Sequence, residues 1–433
     1  MENKKLGVRK WFSFIVAGLI GQLAWAIENN YLNVFIHDVT GLYFPFIPLM
    51  VALSAVAATV TTLLMGALSD RLGKRKMFIA FGYIIWGVSI ILFAFLDRNQ
   101  PYSFIPANAL YLSGSLIVVL DCIMTFFGST ANDSAFNAFV TDNTEESNRG
   151  KVESVLSILP LVAMIAVVLL QGMLVNNVTK DWLWFFVVFG GITSVSGVAL
   201  IFILPKDEIK PNKEEPYLKN IIHGFKPSVI KSRPELYLAL TAFMIFNIGI
   251  QVFLPYFMVY VQSVRHLELV STAGPILGVA CVITVLIGAF MEKLGKYKVV
   301  FAALAATVVG GILLFIFNKD TDQIAIIIGG IIMMSGYLLA TAVLGAKIRD
   351  YTPENETGLF QGVRMVFVVM IPMVTGPYMG QAVSTTGIDD LGNPNAVVPS
   401  SNIFILAAAV MFLVLIPLIF LIKKEKENGK VIS

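Results

Sequence analysis

The sequence predicts an all-α membrane protein: twelve transmembrane helices arranged as two six-helix, pseudo-symmetric halves. Three observations carry this expectation. Of 433 residues, 57% are hydrophobic and 14% charged, with a mean hydropathy of +0.80, whereas soluble domains carry roughly 25% charged residues. Twelve apolar runs are each long enough to cross a bilayer. A charged loop sequence, and a second acidic pattern after it, each occur twice in the same order along the chain.

A bilayer core about 30 Å thick, crossed at 1.5 Å per residue, needs about 20 mostly apolar residues. The segments that qualify run near 11–36, 43–68, 77–97, 110–138, 152–176 and 182–204, then 236–262, 271–291, 298–317, 323–348, 359–381 and 401–422. The first follows a basic stretch, MENKKLGVRK, and contains Ala24-Trp25-Ala26, which imitates a secretory signal with its cleavage site. Its apolar character runs on to Ile36, so it is kept as helix 1. Between helices 6 and 7, Lys206 to Pro234 carries seven Lys/Arg and cannot cross the membrane. The expected organisation is a six-helix bundle over 1–205, a cytoplasmic linker over 206–234 and a second bundle over 235–433.

With the N-terminus inside, the outer loops hold only Arg98, Lys180, Arg265 and Lys319 of the 31 Lys and Arg. The positive-inside rule therefore places both termini in the cytoplasm of a multi-pass protein, expected in the cell membrane. Segregated positive charge of this kind speaks of membrane orientation and not of nucleic acid. Cys122 and Cys281 lie inside apolar runs, and His37, His223 and His266 are scattered. They form neither a disulfide framework nor a metal-ligand cluster. No cofactor, no metal and no enzymatic site is expected, since no loop holds a convergent nucleophile, a phosphate-binding glycine run or a paired Cys/His motif.

The internal repeat carries the architecture. GALSDRLGKRK at 66–76, after helix 2, returns as GAFMEKLGKYK at 288–298, after helix 8, an offset of 222 residues. Asp142-x-Thr144-x-Glu146-x-x-x-Gly150 after helix 4 returns as Asp350-x-Thr352-x-Glu354-x-x-x-Gly358 after helix 10, an offset of 208. Parallel six-helix repeats related by an axis along the membrane normal build alternating access around a midplane site.

GALSDRLGKRK resembles the major-facilitator signature between helices 2 and 3, and its echo in the second half fits the major facilitator fold. In physical terms, its glycines allow close helix approach, and the Arg71, Lys74, Arg75 and Lys76 cluster can pair with charges on neighbouring helix ends. The resemblance implies that Asp70 helps to latch helices 2 and 11 on the cytoplasmic side, with Gly66, Arg71, Gly73, Arg75 and Arg364 as further gating candidates. A role in topology alone is the alternative.

Two stretches resemble a narrower group, the glycoside/pentoside/hexuronide:cation symporters and the related sucrose/proton symporters. Helix 1, from Leu23 through Trp25, Glu28, Asn29, Asn30, Tyr31 and Asn33 to Asp38 and Gly41, is similar to sucrose-carrier helix 1 in its Trp-Ala-x-Glu core. Its closing Asp-Val-x-Gly is similar to the melibiose carriers. Helix 4, Asp133 through Phe136, Ala138 and Val140 to Asp142 and Thr144, is similar to the melibiose-carrier segment whose leading Asp serves sugar and cation, so Asp133 inherits that role by resemblance. Two positions depart from the pattern: Gln22 stands where those carriers have a second sugar-contacting Asp, and Ile158 stands at or near their helix 5 Arg.

A charge at bilayer depth costs at least about 2.5 to 3.5 kcal/mol, so each needs a cavity or a partner. The charges to explain are Glu28, Asp121, Asp133 and Arg364. On an uninterrupted α-helix, Gln22, Asn29 and Asn33 fall within about 20° of one line, with Trp25 beside it. That stripe suits a sugar, its amides meeting hydroxyls and its indole stacking on a pyranose face. Amides also bind helices together in membranes. Glu28 lies about 120° off the stripe and is expected to point toward helix 4 or another neighbour, where it can carry a proton or help to hold Na⁺. Ser129, Asp133 and Asn137 share a face of helix 4 at i, i+4 and i+8, with Asn132 adjacent. Asp121 lies about 120° from Asp133, out of reach of it without a distortion of the helix, and is a further cation-coupling candidate.

In the second half, Asn247 and Gln251 on helix 7 correspond to the helix 1 stripe and can close the site from the opposite side. Arg364 either snorkels to the cytoplasm or reaches inward to a carboxylate. The reading as a whole is a carrier, expected to work as a monomer, that couples H⁺ or Na⁺ to uptake of a sugar or glycoside. The rival carrier is an exporter or antiporter of another small organic solute. The rivals from other classes are a channel and a membrane enzyme.

Overall fold

The computed structural model describes residues 7–41, 45–144, 152, 155–156, 158–176, 179–207, 224–317, 323–352, 357–388 and 396–427, apart from the side chains of Ala67, Asp70, Leu161, Ala289, Glu292 and residues 357–359 and 361. Eleven described helices are long and apolar enough to cross a membrane, and a shorter apolar helix stands in the fifth place. They are α1 Val8–Thr40, α2 Phe46–Leu72, α3 Arg75–Leu96, α4 Leu110–Asp142, α5 Leu159–Leu174 and α6 Leu183–Ile203. After the linker come α7 Pro234–Val264, α8 Leu269–Ala289, α9 Lys296–Ile316, α10 Gln323–Tyr351, α11 Gly362–Ala382 and α12 Asn402–Glu427. A two-stranded antiparallel hairpin, β1 Thr385–Gly387 and β2 Ala396–Val398, lies between α11 and α12.

At the fifth place the regular helix is Leu159–Leu174, and Val152, Val155 and Leu156, ahead of it in the predicted 152–176 span, are helical as well. The regular helix has Pro160 in its first turn, where the missing proline N–H would have had no helical partner in any case. The other predicted spans are found within several residues of their expected limits.

The chain divides into two compact units, residues 1–40 with 56–217 and residues 41–55 with 218–433. In the first unit α3 packs along α6, and glycine makes the approach possible: a Cβ at Gly190 would lie 2.5 Å from the Gly87 carbonyl oxygen. In the second unit the corresponding helix α9 packs along α10 and α12, while α7 packs along α11.

The repeated signature places a glycine with positive φ at the same point twice. Gly73 (φ 62°) and Gly295 (φ 87°) both occupy the left-handed region, which costs other residues roughly 1–2 kcal/mol. Immediately beyond each glycine a basic side chain reaches the aspartate that opens the second repeated pattern. Arg75 Nε lies 3.2 Å from Asp142 Oδ2 and donates through Nη1 to Ser69 Oγ at 2.5 Å, and Lys296 Nζ lies 2.8 Å from Asp350 Oδ2. The sixth helix of each unit is also tied to this end. The Lys76 N–H donates to Asp207 Oδ1 at 3.2 Å. Buried Glu425 accepts from Tyr297 at 2.6 Å, from Lys347 at 3.1 Å and from Tyr351.

At the opposite end of the first unit, buried Asp38 accepts from the Trp182 indole N–H at 3.0 Å and pairs with Lys180 at 3.1 Å. Arg98 donates to the Val39 carbonyl at 3.1 Å and to that of Ala107, so two loops are tied to the end of α1. Asp97, in the turn after α3, is also buried. Burial pushes its carboxyl up to about 6, with the Asp38 and Asp181 charges adding to the effect and hydrogen bonds from Asn99 and Gln100 opposing it. A carboxyl held above its unfolded value favours the folded state below about pH 4, and that contribution is lost as pH rises through about 6. Asp97→Asn is therefore expected to gain thermal stability relative to the wild type between pH 4 and 7, by about 2 kcal/mol at the upper end. Parallel melting curves of both proteins in detergent check this, and a constant difference across that range would contradict it.

Candidate functional site

Four of the membrane helices contain a widened turn in which the backbone bonds i→i−5. These turns lie at Ile27–Tyr31 in α1, Ser129–Phe136 in α4, Tyr260–Val264 in α7 and Val366–Met370 in α11. The Leu32 N–H meets the Ile27 carbonyl, the Asn137 N–H that of Asn132, the Arg265 N–H that of Tyr260 and the Ile371 N–H that of Val366. Turns of this kind recur at functional sites. Here they hold two of the predicted carboxylates: Glu28 lies in the first and Asp133 in the second.

The widened turn overturns the angular reading of helix 1, which assumed a uniform 3.6-residue period. Gln22 is half-buried, Asn29 exposed and Asn33 only 2% exposed, so the three do not form one solvent-facing stripe. Their neighbourhood is a run of amides bonded back onto their own helix. Asn29 donates to the Trp25 carbonyl at 2.9 Å, Asn30 to that of Ala26 at 3.0 Å and Asn33 to that of Asn29 at 3.1 Å. Where the backbone N–H reaches back five residues, the asparagine side chain meets the carbonyl four residues back.

Glu28 does point to helix 4. It is 6% exposed, and its Oε1 accepts from Thr125 Oγ1 at 2.8 Å. Asp121 is 1% exposed and sits one α-helical turn before Thr125 on α4, so the two share a face. The structure thus puts Asp121 on the side of α4 that receives Glu28. The distortion that the sequence reading required before Asp121 and Asp133 could approach is present, as the widened turn from Ser129. Asp133 itself is half-buried, accepts from Ser129 Oγ at 3.0 Å, and leaves its carbonyl to the exposed Asn137 side chain at 3.0 Å.

Trp25 is half-buried. Its indole N–H donates to Asn132 Oδ1 at 3.2 Å, and its ring lies 4.9 Å from that of Trp86. Asn132 donates in turn to Tyr83 Oη at 2.8 Å, and Tyr83 to the Ala17 carbonyl at 2.6 Å. Thr125 and Tyr83 were not singled out from the sequence, and Asn132 only as the amide next to Asp133. Thr125 and Asn132 carried a faint signal, a hydroxyl one turn from Asp121 and an amide beside Asp133. Tyr83 carried none, because a tyrosine in an apolar helix is ordinary.

In the second unit, Asn247 donates to the Val368 carbonyl at 2.9 Å, inside the widened turn of α11, and half-buried Gln251 packs against the backbone at Gly376. Both residues thus serve the α7–α11 contact in this structure. Arg364 is half-buried in the last turn of the helix Thr357–Met365. Among the gating candidates, the Gly66 carbonyl accepts from Ser69 at 3.0 Å, Arg71 is exposed and Arg75 is buried in the Asp142 pair. The Asp70 side chain lies outside the described residues. Among the described residues, no three His, Cys, Asp or Glu side chains converge as metal ligands.

The Glu28–Thr125 bond predicts a non-additive mutant cycle. Thr125→Val removes a donor from a buried carboxylate and is expected to cost about 1–3 kcal/mol. Adding Glu28→Leu removes the group that needed the donor, so the double variant should lose clearly less than the sum of the single losses. Melting temperatures of the four proteins in detergent measure this, and strictly additive losses would show the bond to be energetically idle.

The sequence profile of the Major Facilitator Superfamily matches residues 11–377, with a second match over 279–433. An uncharacterized MFS-type transporter of Bacillus subtilis (strain 168), YwoD, is 21% identical over 432 residues, covering 88% of this chain and 92% of its own. Among solved structures, the nucleoside transporter NupG superposes with a TM-score of 0.68 at 12% identity, covering 96% of this chain and all of that one. The xylose transporter XylE from E. coli, in a partially occluded inward-open conformation, superposes with a TM-score of 0.66 at 14% identity, covering 94% of this chain and 96% of that one. At these identities the superpositions speak for the fold alone, and the profile match over most of the chain speaks for descent: this protein belongs to the Major Facilitator Superfamily and is a multi-pass membrane transporter.

Proposed function

We propose that this transporter is a cation-coupled symporter of a sugar or glycoside, driven by H⁺ or Na⁺ and working by alternating access as a monomer in the cell membrane, with both termini cytoplasmic. The observation that carries the reading is that Glu28 and Asp133 each sit in a widened turn of neighbouring helices, flanked by hydroxyls and amides. A carboxylate with hydroxyl and amide oxygens beside it suits a small cation. Asp133, half-buried beside the exposed Asn137, is the residue assigned to both cation and sugar; Glu28 and Asp121 are the more deeply buried carboxylates. Binding of the cation lowers the cost of burying negative charge and so favours the sugar-bound, closed state. The sugar-type and nucleoside-type cargo named for XylE and NupG and the resemblance of α1 and α4 to glycoside carriers support the substrate class.

One observation favours the exporter or antiporter of another organic solute. Asn29, Asn33 and Asn247 spend amide donors on backbone carbonyls, so the predicted sugar stripe is poorer in free donors than its composition suggests. Uptake separates the two readings. In proteoliposomes with an imposed H⁺ or Na⁺ gradient, labelled disaccharides or hexuronides should accumulate with one gradient only, and Asp133→Asn should reduce accumulation to the equilibrium level. Failure of every sugar to follow either gradient would remove the symport reading and leave family membership untouched.

A further inference from the structure

Trp25, Asn132 and Tyr83 form a directed chain of hydrogen bonds across three helices of the first unit. The indole N–H can only donate, so Asn132 must present its oxygen to Trp25 and its amide N–H to Tyr83. Tyr83, accepting from Asn132, must donate onward to the Ala17 carbonyl on α1. Each distance falls within hydrogen-bonding range, at 3.2, 2.8 and 2.6 Å. Tyr83 and Asn132 are buried, while Trp25 is half-exposed at the end of the chain. The path starts and ends on α1 and passes through α4 and α3, so it fixes the indole relative to the widened turn that holds Asp133.

The space for this chain is built in. A Cβ at Gly21 would lie 2.2 Å from the Asn132 amide nitrogen and 2.6 Å from Tyr83 Oη, and a Cβ at Gly128 would lie 2.7 Å from the Trp86 ring. Trp86 in turn lies 4.9 Å from Trp25 and 5.6 Å from Tyr83, ring centre to ring centre. One side of the indole is thus backed by Trp86 and its N–H is tethered, which leaves the exposed part of the ring held at a set angle. A buried chain of hydrogen bonds of this kind favours a single geometry.

We infer that Asn132 and Tyr83 are positioning residues for substrate: they hold Trp25 as a rigid platform for the apolar face of a ring-shaped solute, in register with Asp133 one residue along α4. The inference rests on the symporter reading for the identity of that solute as a pyranoside. The positioning itself does not depend on it. A platform without rotational freedom loses little entropy on binding, so its benefit lies in affinity and is greatest for ligands with a flat apolar face.

Two variants test it by two readouts. Tyr83→Phe removes the hydroxyl and keeps the ring, and Asn132→Leu removes the amide. The first readout is Trp25 fluorescence, taken as the difference from the matching Trp25→Phe protein, in detergent without solute. Both variants should shift Trp25 emission to longer wavelength and raise its quenching by iodide. The second is transport: KM for pyranosides should rise about tenfold, the worth of one net hydrogen bond, with maximal rate little changed and with a smaller effect on linear polyols. A fluorescence change without transport of any sugar by the wild type would retain the positioning and discard the substrate assignment. Unchanged emission and quenching in Tyr83→Phe, whose packing is conserved, would overturn the inference, as would a loss of maximal rate with KM constant.

Discussion

A chain that crosses hydrocarbon must satisfy its backbone N–H and C=O groups within itself, because lipid offers no partner. Much of what is distinctive in this transporter is a response to that constraint. Helices α1, α4, α7 and α11 each depart from regular α geometry, and asparagine or threonine side chains take up carbonyls near the departures. Asn29, Asn30 and Asn33 do so in α1, Asn137 and Thr130 in α4, and Asn247 from α7 onto α11. The widened turns shift the side chains that follow them off the regular register, while Glu28, early in the first of them, faces Thr125 on another helix. Polar residues that read as a ligand surface therefore divide into two groups, those that repair the backbone and the carboxylates that the repaired backbone presents.

The second organising feature is duplication. A glycine with positive φ follows α2 and α8, and a basic side chain just beyond it meets the aspartate at the end of α4 or α10. The two versions are not equally elaborate. In the first unit a guanidinium bridges Asp142 and Ser69. In the second, Tyr297 stands at the arginine position, and the buried charge is gathered instead at Glu425, Lys347 and Tyr351. The first solution ties the second, third and fourth helices of its unit at one end, and the second ties the third, fourth and sixth.

The architecture was legible in the sequence because its signals are long. Twenty-residue apolar runs leave little choice in hydrocarbon, and the repeated loop marks the same point twice. The fifth helix was placed as well, but hydropathy does not mark where its regular part begins, with Pro160 in the first turn. The direction of Glu28 was also legible, from its angular offset. The stripe Gln22, Asn29 and Asn33 was not, because one widened turn displaces everything after it and no residue pattern announces such a turn. Likewise Asn247 reads as a ligand residue from its position in the repeat, whereas the carbonyl it meets, that of Val368, lies 121 residues away. The Trp25 tether needed a tyrosine on α3 that only the folded arrangement brings to α1 and α4.

Under the proposed symport, a carboxylate of the first unit links cation binding to sugar binding. Such linkage is reciprocal at equilibrium, so it can be read without any gradient. The most direct measurement is the affinity of the purified protein for a transported glycoside, by calorimetry, across pH and across Na⁺ concentration, beside Asp133→Asn. The account predicts that affinity rises at least about tenfold with one of the two cations, a coupling of roughly 1.4 kcal/mol, and that the variant binds with a constant affinity. Equal affinity in the wild type under all of these conditions, or full linkage surviving in Asp133→Asn, would contradict it.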